Sequence, residues 1–131
     1  MDWSKVNDES ERIIHKFDIR TPSANTLAEN LSGGNQQKLV VGREISDDVD
    51  FLIASQPTRG IDVGSIEYIH EQLIESRNHG KGILLVSTEL EEILTLSDRI
   101  IVLFRGEIID EFGTNPTPEE IGLAMAGHPR K

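Results

Sequence analysis

Cysteine is absent from the 131 residues, which excludes disulfides, thiolate metal sites and a cysteine nucleophile. Basic residues are scarce, 13 against 23 acidic ones, and the net charge is −10. Such a surface repels a phosphate backbone, and no basic stripe offsets it, so general nucleic-acid binding is not expected. The four histidines, His15, His70, His79 and His128, form no HxH or HxxxH pair, so no metal site is expected. No apolar run reaches the roughly 18 residues that a membrane-crossing helix needs. Met1-Asp2-Trp3-Ser4-Lys5 lacks the apolar stretch of a secretion signal, and the chain is expected in the cytoplasm. The length suits one domain with a core, and 37% hydrophobic residues plus 11 glycines are an ordinary globular composition.

Hydrophobic spacing gives the element order. Trp3, Val6, Ser10, Ile13, Ile14 and Phe17 share one helical face, so a helix is expected over 4–17, ended by Arg20-Thr21-Pro22-Ser23. Lys38 to Ile45 has helical spacing and should stop before Ser46-Asp47-Asp48. Phe51-Leu52-Ile53-Ala54 and Ile83-Leu84-Leu85-Val86 are continuous apolar runs that suit buried strands. Between them Ile66, Ile69, His70, Leu73 and Ile74 recur at i, i+3, i+4, i+7, i+8, the clearest helix in the chain. Strand, helix, strand is a βαβ unit with parallel strands and a right-handed crossover. A short helix is expected over 89–96. Strands over 99–104 and 107–112 should form a hairpin around Arg105-Gly106. Thr117-Pro118-Glu119-Glu120 has the cap, first-turn proline and capping-box acid of a helix start.

In an open α/β sheet, ligands bind beyond the carboxyl ends of the strands. Those ends carry Ser55-Gln56-Pro57-Thr58 and Ser87-Thr88-Glu89, and no histidine is placed for a nucleophile–base pair. The most specific short feature is Leu31-Ser32-Gly33-Gly34-Asn35-Gln36-Gln37-Lys38. A serine and two glycines at a helix start expose backbone N–H groups at the positive end of the helix dipole, a seat for phosphate. From the residues alone, the same pattern equally describes a Ser-capped helix behind a flexible lead-in.

Leu31 to Lys38 resembles the signature of ABC transporters, in the LSGGNQQK form of bacterial sugar and nucleoside importers. The remaining motifs agree in order. Phe51 to Gln56 resembles the Walker B strand, Thr58-Arg59-Gly60-Ile61-Asp62 the D-loop, Val86-Ser87-Thr88-Glu89 the switch loop, and Ser97-Asp98-Arg99-Ile100 the SDRI element. The likeness runs from Asp2 onward. It implies an α/β fold: a partial RecA-like P-loop NTPase core of parallel strands with crossover helices and a C-terminal hairpin, plus part of the helical subdomain. Residues 1–31 would be helical subdomain, and 32–131 the partial core.

No GxxxxGK(S/T) phosphate loop is present, nor the family's glutamine loop. The chain is therefore expected to be a fragment, the C-terminal part of a second nucleotide-binding domain, with Met1 not its parent's own start and Gly127 near the parent's end. Removal of the P-loop strand should leave an unpaired edge between 83–86 and 99–104, giving self-association, rearrangement or an open, partly disordered edge.

The resemblance also assigns roles. Ser32, Gly33, Gly34, Asn35 and Gln36 would meet the γ-phosphate of ATP held by a partner domain, and Asp62 would couple the two sites. The Walker B aspartate and glutamate align with Ser55 and Gln56, and the switch histidine with Thr88. A serine is a weak Mg²⁺ ligand, and a glutamine cannot take a proton from water. ATPase activity is thus expected of the whole protein and not of this fragment, which would bind no cofactor tightly. ATP and Mg²⁺ would belong to the full-length dimer. The partners would be the N-terminal nucleotide-binding domain and membrane permease subunits, on the inner face of the plasma membrane. The alternative is a catalytically silent dimerisation and coupling module. No catalytic residue and no metal ligand is expected intact.

Overall fold

The computed structural model describes residues 2–45, 49–113, 115–128 and 130; Met1 and the polar run Ser46-Asp47-Asp48 lie outside them. The elements are α1 (Trp3–Lys16), a 3₁₀ turn (Ala28–Asn30), α2 (Gly33–Glu44), β1 (Phe51–Ser55), α3 (Val63–Asn78), β2 (Gly82–Val86), α4 (Leu90–Leu96), β3 (Ile100–Phe104), β4 (Glu107–Phe112) and α5 (Pro118–Met125). The chain divides into two compact units, Met1–Leu84 and Leu85–Lys131.

In the first unit Phe17, Ile19, Val41, Ala54, Ile69 and Leu73 form the buried set. α1 closes on α2 at Gly42, where an added Cβ would lie 2.8 Å from Phe17 Cδ2 and 2.9 Å from Ile13 Cγ2. No residue of α1 itself is buried: Ile13 and Ile14 are half-buried toward its C-terminal end, and Trp3 stays 67% exposed. α2 begins at Gly33 rather than near Lys38. Ser32 caps it there, and a close helix–helix contact outweighs the poor helix propensity of two glycines.

β1 and β2 form one two-stranded parallel sheet joined through α3. Burial of these strands on both faces does not hold. Phe51 and Ile53 are 57% and 63% exposed, and Leu84 and Val86 are also open. Side chains alternate across a sheet: in β1 Ala54 is buried and Leu52 half-buried, and both line a cavity with Val41 of α2 and Leu73 of α3.

In the second unit β3 and β4 pair antiparallel, Ile100 opposite Phe112 and Phe104 opposite Glu107, with an irregularity between Val102 and Leu103. β2 and β3 belong to separate sheets. The hairpin turns through Arg105 (φ 51°) and Gly106 (φ 86°), the paired positive φ of a type I′ turn whose twist matches the strands. Ile100, Val102, Phe112, Ile121 and Ala124 form this unit's core. α5 carries the expected capping box, Thr117 and Glu120 satisfying each other's backbone N–H. Arg130 closes the end of the chain onto β4: its backbone N–H and guanidinium donate to the Asp110 carboxylate, and it lies over the Phe112 ring.

Candidate functional site

The N-terminus of α2 is built from its own short side chains. Ser32 Oγ accepts the Asn35 N–H at 3.4 Å and the Asn35 side-chain amide at 2.9 Å. Asn35 Oδ1 accepts the Arg20 N–H at 2.8 Å. Gln36 Nε2 donates to the Ala28 and Leu31 carbonyls at 3.1 and 3.0 Å. The amide side chains of Asn35 and Gln36 therefore brace the loop that leads into the helix. Ser32 and Gly33 are exposed, whereas Gly34 is buried.

The loop after β1 meets this helix end. Ser55 is exposed, and Gln56 takes a positive φ of 49° at the start of a turn closed by Arg59 N–H on the Gln56 carbonyl. Gly60, at φ 75°, carries the chain to Asp62, which caps α3. Asp62 Oδ1 accepts the Ser65 N–H at 3.0 Å, and Oδ2 accepts the Ser65 hydroxyl at 2.8 Å. The Ser65 hydroxyl, its backbone N–H and the charge of Lys38 hold the Asp62 carboxyl below its ordinary range, against the opposing effect of burial. The Gly60 carbonyl oxygen lies 3.8 Å from where a Cβ on Gly33 would sit. A Cβ on Gly34 would lie 2.3 Å from Ser65 Oγ and 2.7 Å from Asp62 Oδ2. The structure thus brings Ser32, Gly33, Gly34 and Asp62 together. Thr88, exposed after β2, belongs to the second unit.

Two residues of this neighbourhood are not singled out by the sequence. Lys38 is buried in α2: it donates to the Asp18 carbonyl at 3.1 Å and to Asp18 Oδ2 at 3.3 Å, and its ammonium lies 4.6 Å from the Tyr68 ring centroid. Burial pushes the Tyr68 phenol above its usual value. Ser65 completes the α3 cap. One signal does exist: Gly34, Lys38 and Gly42 recur every fourth residue and so lie along one stripe of the helix.

The donor sets differ in what they suit. Ser55 and Gln56, at the end of β1, are neutral, and among the described residues no group of three or more His, Cys, Asp or Glu could hold a metal ion. These residues do not fit Mg²⁺, which prefers carboxylate oxygens. The first turn of α2 suits an anion better: the Ser32 hydroxyl is exposed there, and helix starts present free N–H groups.

The fold is that of part of the cassettes found in ABC transporters. Among solved structures the chain superimposes on the dimeric MJ0796 ABC transporter cassette with a TM-score of 0.74 at 24% identity, covering 89% of this chain and 50% of that one. A nucleotide-free ATP-binding cassette from an ABC transporter gives 0.72 at 22% identity, over 93% and 46%. No family model matches.

Over nearly its whole length the chain is similar to part of several import ATP-binding proteins. It is 56% identical over 120 residues to the guanosine import ATP-binding protein NupO of Bacillus subtilis, covering 91% of this chain and 24% of that protein. It is 46% identical over 128 residues to the nucleoside import ATP-binding protein NupA of Lactococcus lactis, over 97% and 25%. The ribose import ATP-binding protein RbsA of Clostridium tetani is 40% identical over 121 residues, 88% of this chain and 24% of that protein. The chain thus spans about a quarter of the length of these relatives, a share that fits the C-terminal part of a second cassette.

Proposed function

We propose that this chain is the signature-bearing part of an importer ATPase, and that Ser32, Gly33 and Gly34 close over the γ-phosphate of ATP held by a partner nucleotide-binding domain. The observation that carries the reading is the start of α2, where an exposed hydroxyl and an exposed glycine stand at the positive end of a 12-residue helix. Asn35 and Gln36 serve that end by fixing its lead-in, and Asp62, in the D-loop, couples the two nucleotide sites across the interface. The chain's own nucleotide site is degenerate: at the end of β1 Ser55 and Gln56 offer no carboxylate to hold Mg²⁺ or accept a proton, and Thr88 offers no imidazole. ATP and Mg²⁺ belong to the two-domain assembly, where bound ATP supplies the phosphoryl group.

Residues 1–31 then form part of a helical subdomain and 32–131 part of the ATPase core. The partners are the N-terminal nucleotide-binding domain and permease subunits, which place the protein on the inner face of the plasma membrane. Among the described residues no helix is long and apolar enough to cross a membrane itself. The cargo is a nucleoside, the class named in two of the relatives above. A second reading, a catalytically silent coupling module, draws on the internal engagement of Asn35, Gln36 and Asp62.

ATP turnover decides between them. The chain alone is expected to be silent, and to stimulate turnover when mixed with the N-terminal nucleotide-binding domain. Ser32→Ala and Ser32→Gly should both abolish that gain. The glycine variant matters because it weakens the cap by only about a few tenths of a kcal/mol. Stimulation that survives both substitutions overturns the signature role, and binding without stimulation supports the coupling module.

A further inference from the structure

Gly33 and Gly34 differ in what surrounds them. A Cβ on Gly33 would meet nothing closer than the Gly60 carbonyl at 3.8 Å, an ordinary contact. The Cβ position of Gly34 is filled by Ser65 Oγ at 2.3 Å, Asp62 Oδ2 at 2.7 Å and Ser65 Cβ at 3.1 Å. Neither oxygen is free to retreat. Ser65 is only 8% exposed, and its hydroxyl donates to Asp62 Oδ2 at 2.8 Å while its N–H donates to Oδ1. Turning the hydroxyl aside breaks that bond, and moving the carboxylate uncaps α3. On the same stripe of α2, Lys38 is held by Asp18 and Tyr68, so the helix is tethered against rolling away to make room.

We infer that the two signature glycines do different work. Gly33 leaves the helix end open to an outside ligand, whereas Gly34 is glycine because the Asp62–Ser65 cap occupies its Cβ position. Ser65 is thereby a positioning residue that fixes the signature to the D-loop. The Gly33 half rests on the signature-in-trans reading; the Gly34–Ser65 lock rests on the packing alone.

The test uses Gly33→Ala, Gly34→Ala, Ser65→Gly and the double variant Gly34→Ala with Ser65→Gly. Thermal unfolding is measured on the 131-residue chain. ATP turnover per folded molecule is measured in the full-length importer ATPase. Gly34→Ala should lower the unfolding temperature and cut turnover roughly tenfold or more. Adding Ser65→Gly removes two of the three close atoms and should recover a large part of both losses. Gly33→Ala should leave unfolding unchanged, cut turnover, and gain nothing from Ser65→Gly. A structural role alone would not restore turnover per folded molecule. A double variant no better than Gly34→Ala in either measurement overturns the lock. Full turnover in Gly33→Ala overturns the Gly33 half together with the signature reading. Recovery of the unfolding temperature in the double variant then still decides the Ser65 lock by itself.

Discussion

The same substitution, glycine to alanine in a helix, should have opposite effects at Gly42 and Gly122. Alanine is favoured over glycine in a helix interior by about 0.8–1.0 kcal/mol, and both positions gain that. At Gly122, in α5, an added Cβ meets nothing within 4 Å, so the variant should be more stable by nearly the whole amount. At Gly42 the added Cβ would lie 2.8 and 3.0 Å from two carbons of the Phe17 ring and 2.9 Å from Ile13. Phe17 is fully buried, and its ring has no open side to move into. Overpacking a filled site costs about 1–3 kcal/mol, which leaves Gly42→Ala net destabilising by about 1 kcal/mol at the middle of that range. The propensity gain cancels between the two variants, so the difference in their stabilities isolates the packing cost. Urea unfolding followed by far-ultraviolet circular dichroism gives both values, and amide hydrogen exchange in α2 and α5 assigns each change to its own unit. Equal stabilisation in the two variants would contradict the packing described at Gly42.

Asp110 should govern acid stability of the second unit. Hydrogen bonds from the Arg130 side chain and backbone hold its carboxyl down at about 2, against an ordinary 3.8. The resulting stability is fully present above 3.8 and lost as pH falls toward 2, so Asp110→Asn should flatten this part of the acid unfolding curve; an unchanged curve speaks against the clamp. Lys38→Met keeps the buried stem but loses the bonds to Asp18 and the contact with Tyr68. Relief from burying a charge offsets part of this, and a net loss of about 1–2 kcal/mol is expected by denaturant titration. Gly106→Ala forces a side chain into positive φ and should cost about 1–2 kcal/mol of hairpin stability, read from exchange of the β3 and β4 amides. The open face of β1 and β2 should drive self-association, visible by sedimentation and reduced by Ile53→Lys with Leu84→Lys; a chain that stays monomeric at high concentration excludes it.

Local signals are legible wherever neighbours in sequence decide the structure. The spacing of Ile66, Ile69, Leu73 and Ile74 places α3, Thr117-Pro118-Glu119-Glu120 places the start of α5, and Arg105-Gly106 places the hairpin turn. Strand burial is not legible in the same way. A continuous apolar run suggests an environment covered on both faces, yet Phe51, Ile53, Leu84 and Val86 are exposed. The spacing sets the start of α2 too late because Gly33 and Gly34 are poor helix formers taken singly. Their use follows from Ser65 and Asp62, about 30 positions along the chain in a helix whose approach no local pattern announces. Lys38 stands in the sequence only as the last letter of a motif. Its partners Asp18 and Tyr68 lie on two other segments, so its burial follows from tertiary structure.

The glycine contacts at the two ends of α2 also have a mechanical meaning. Gly34 and Gly42 are eight residues apart, about 12 Å along the axis at 1.5 Å per residue. At one end the rod bears on α3, at the other on α1, and between them Lys38 acts as a guy line to Asp18 and Tyr68. A rod seated at two bearings resists pivoting about either. Load applied at Ser32 therefore passes along α2 as thrust and torque with little bending, and is shared between α3 at one bearing and α1 at the other.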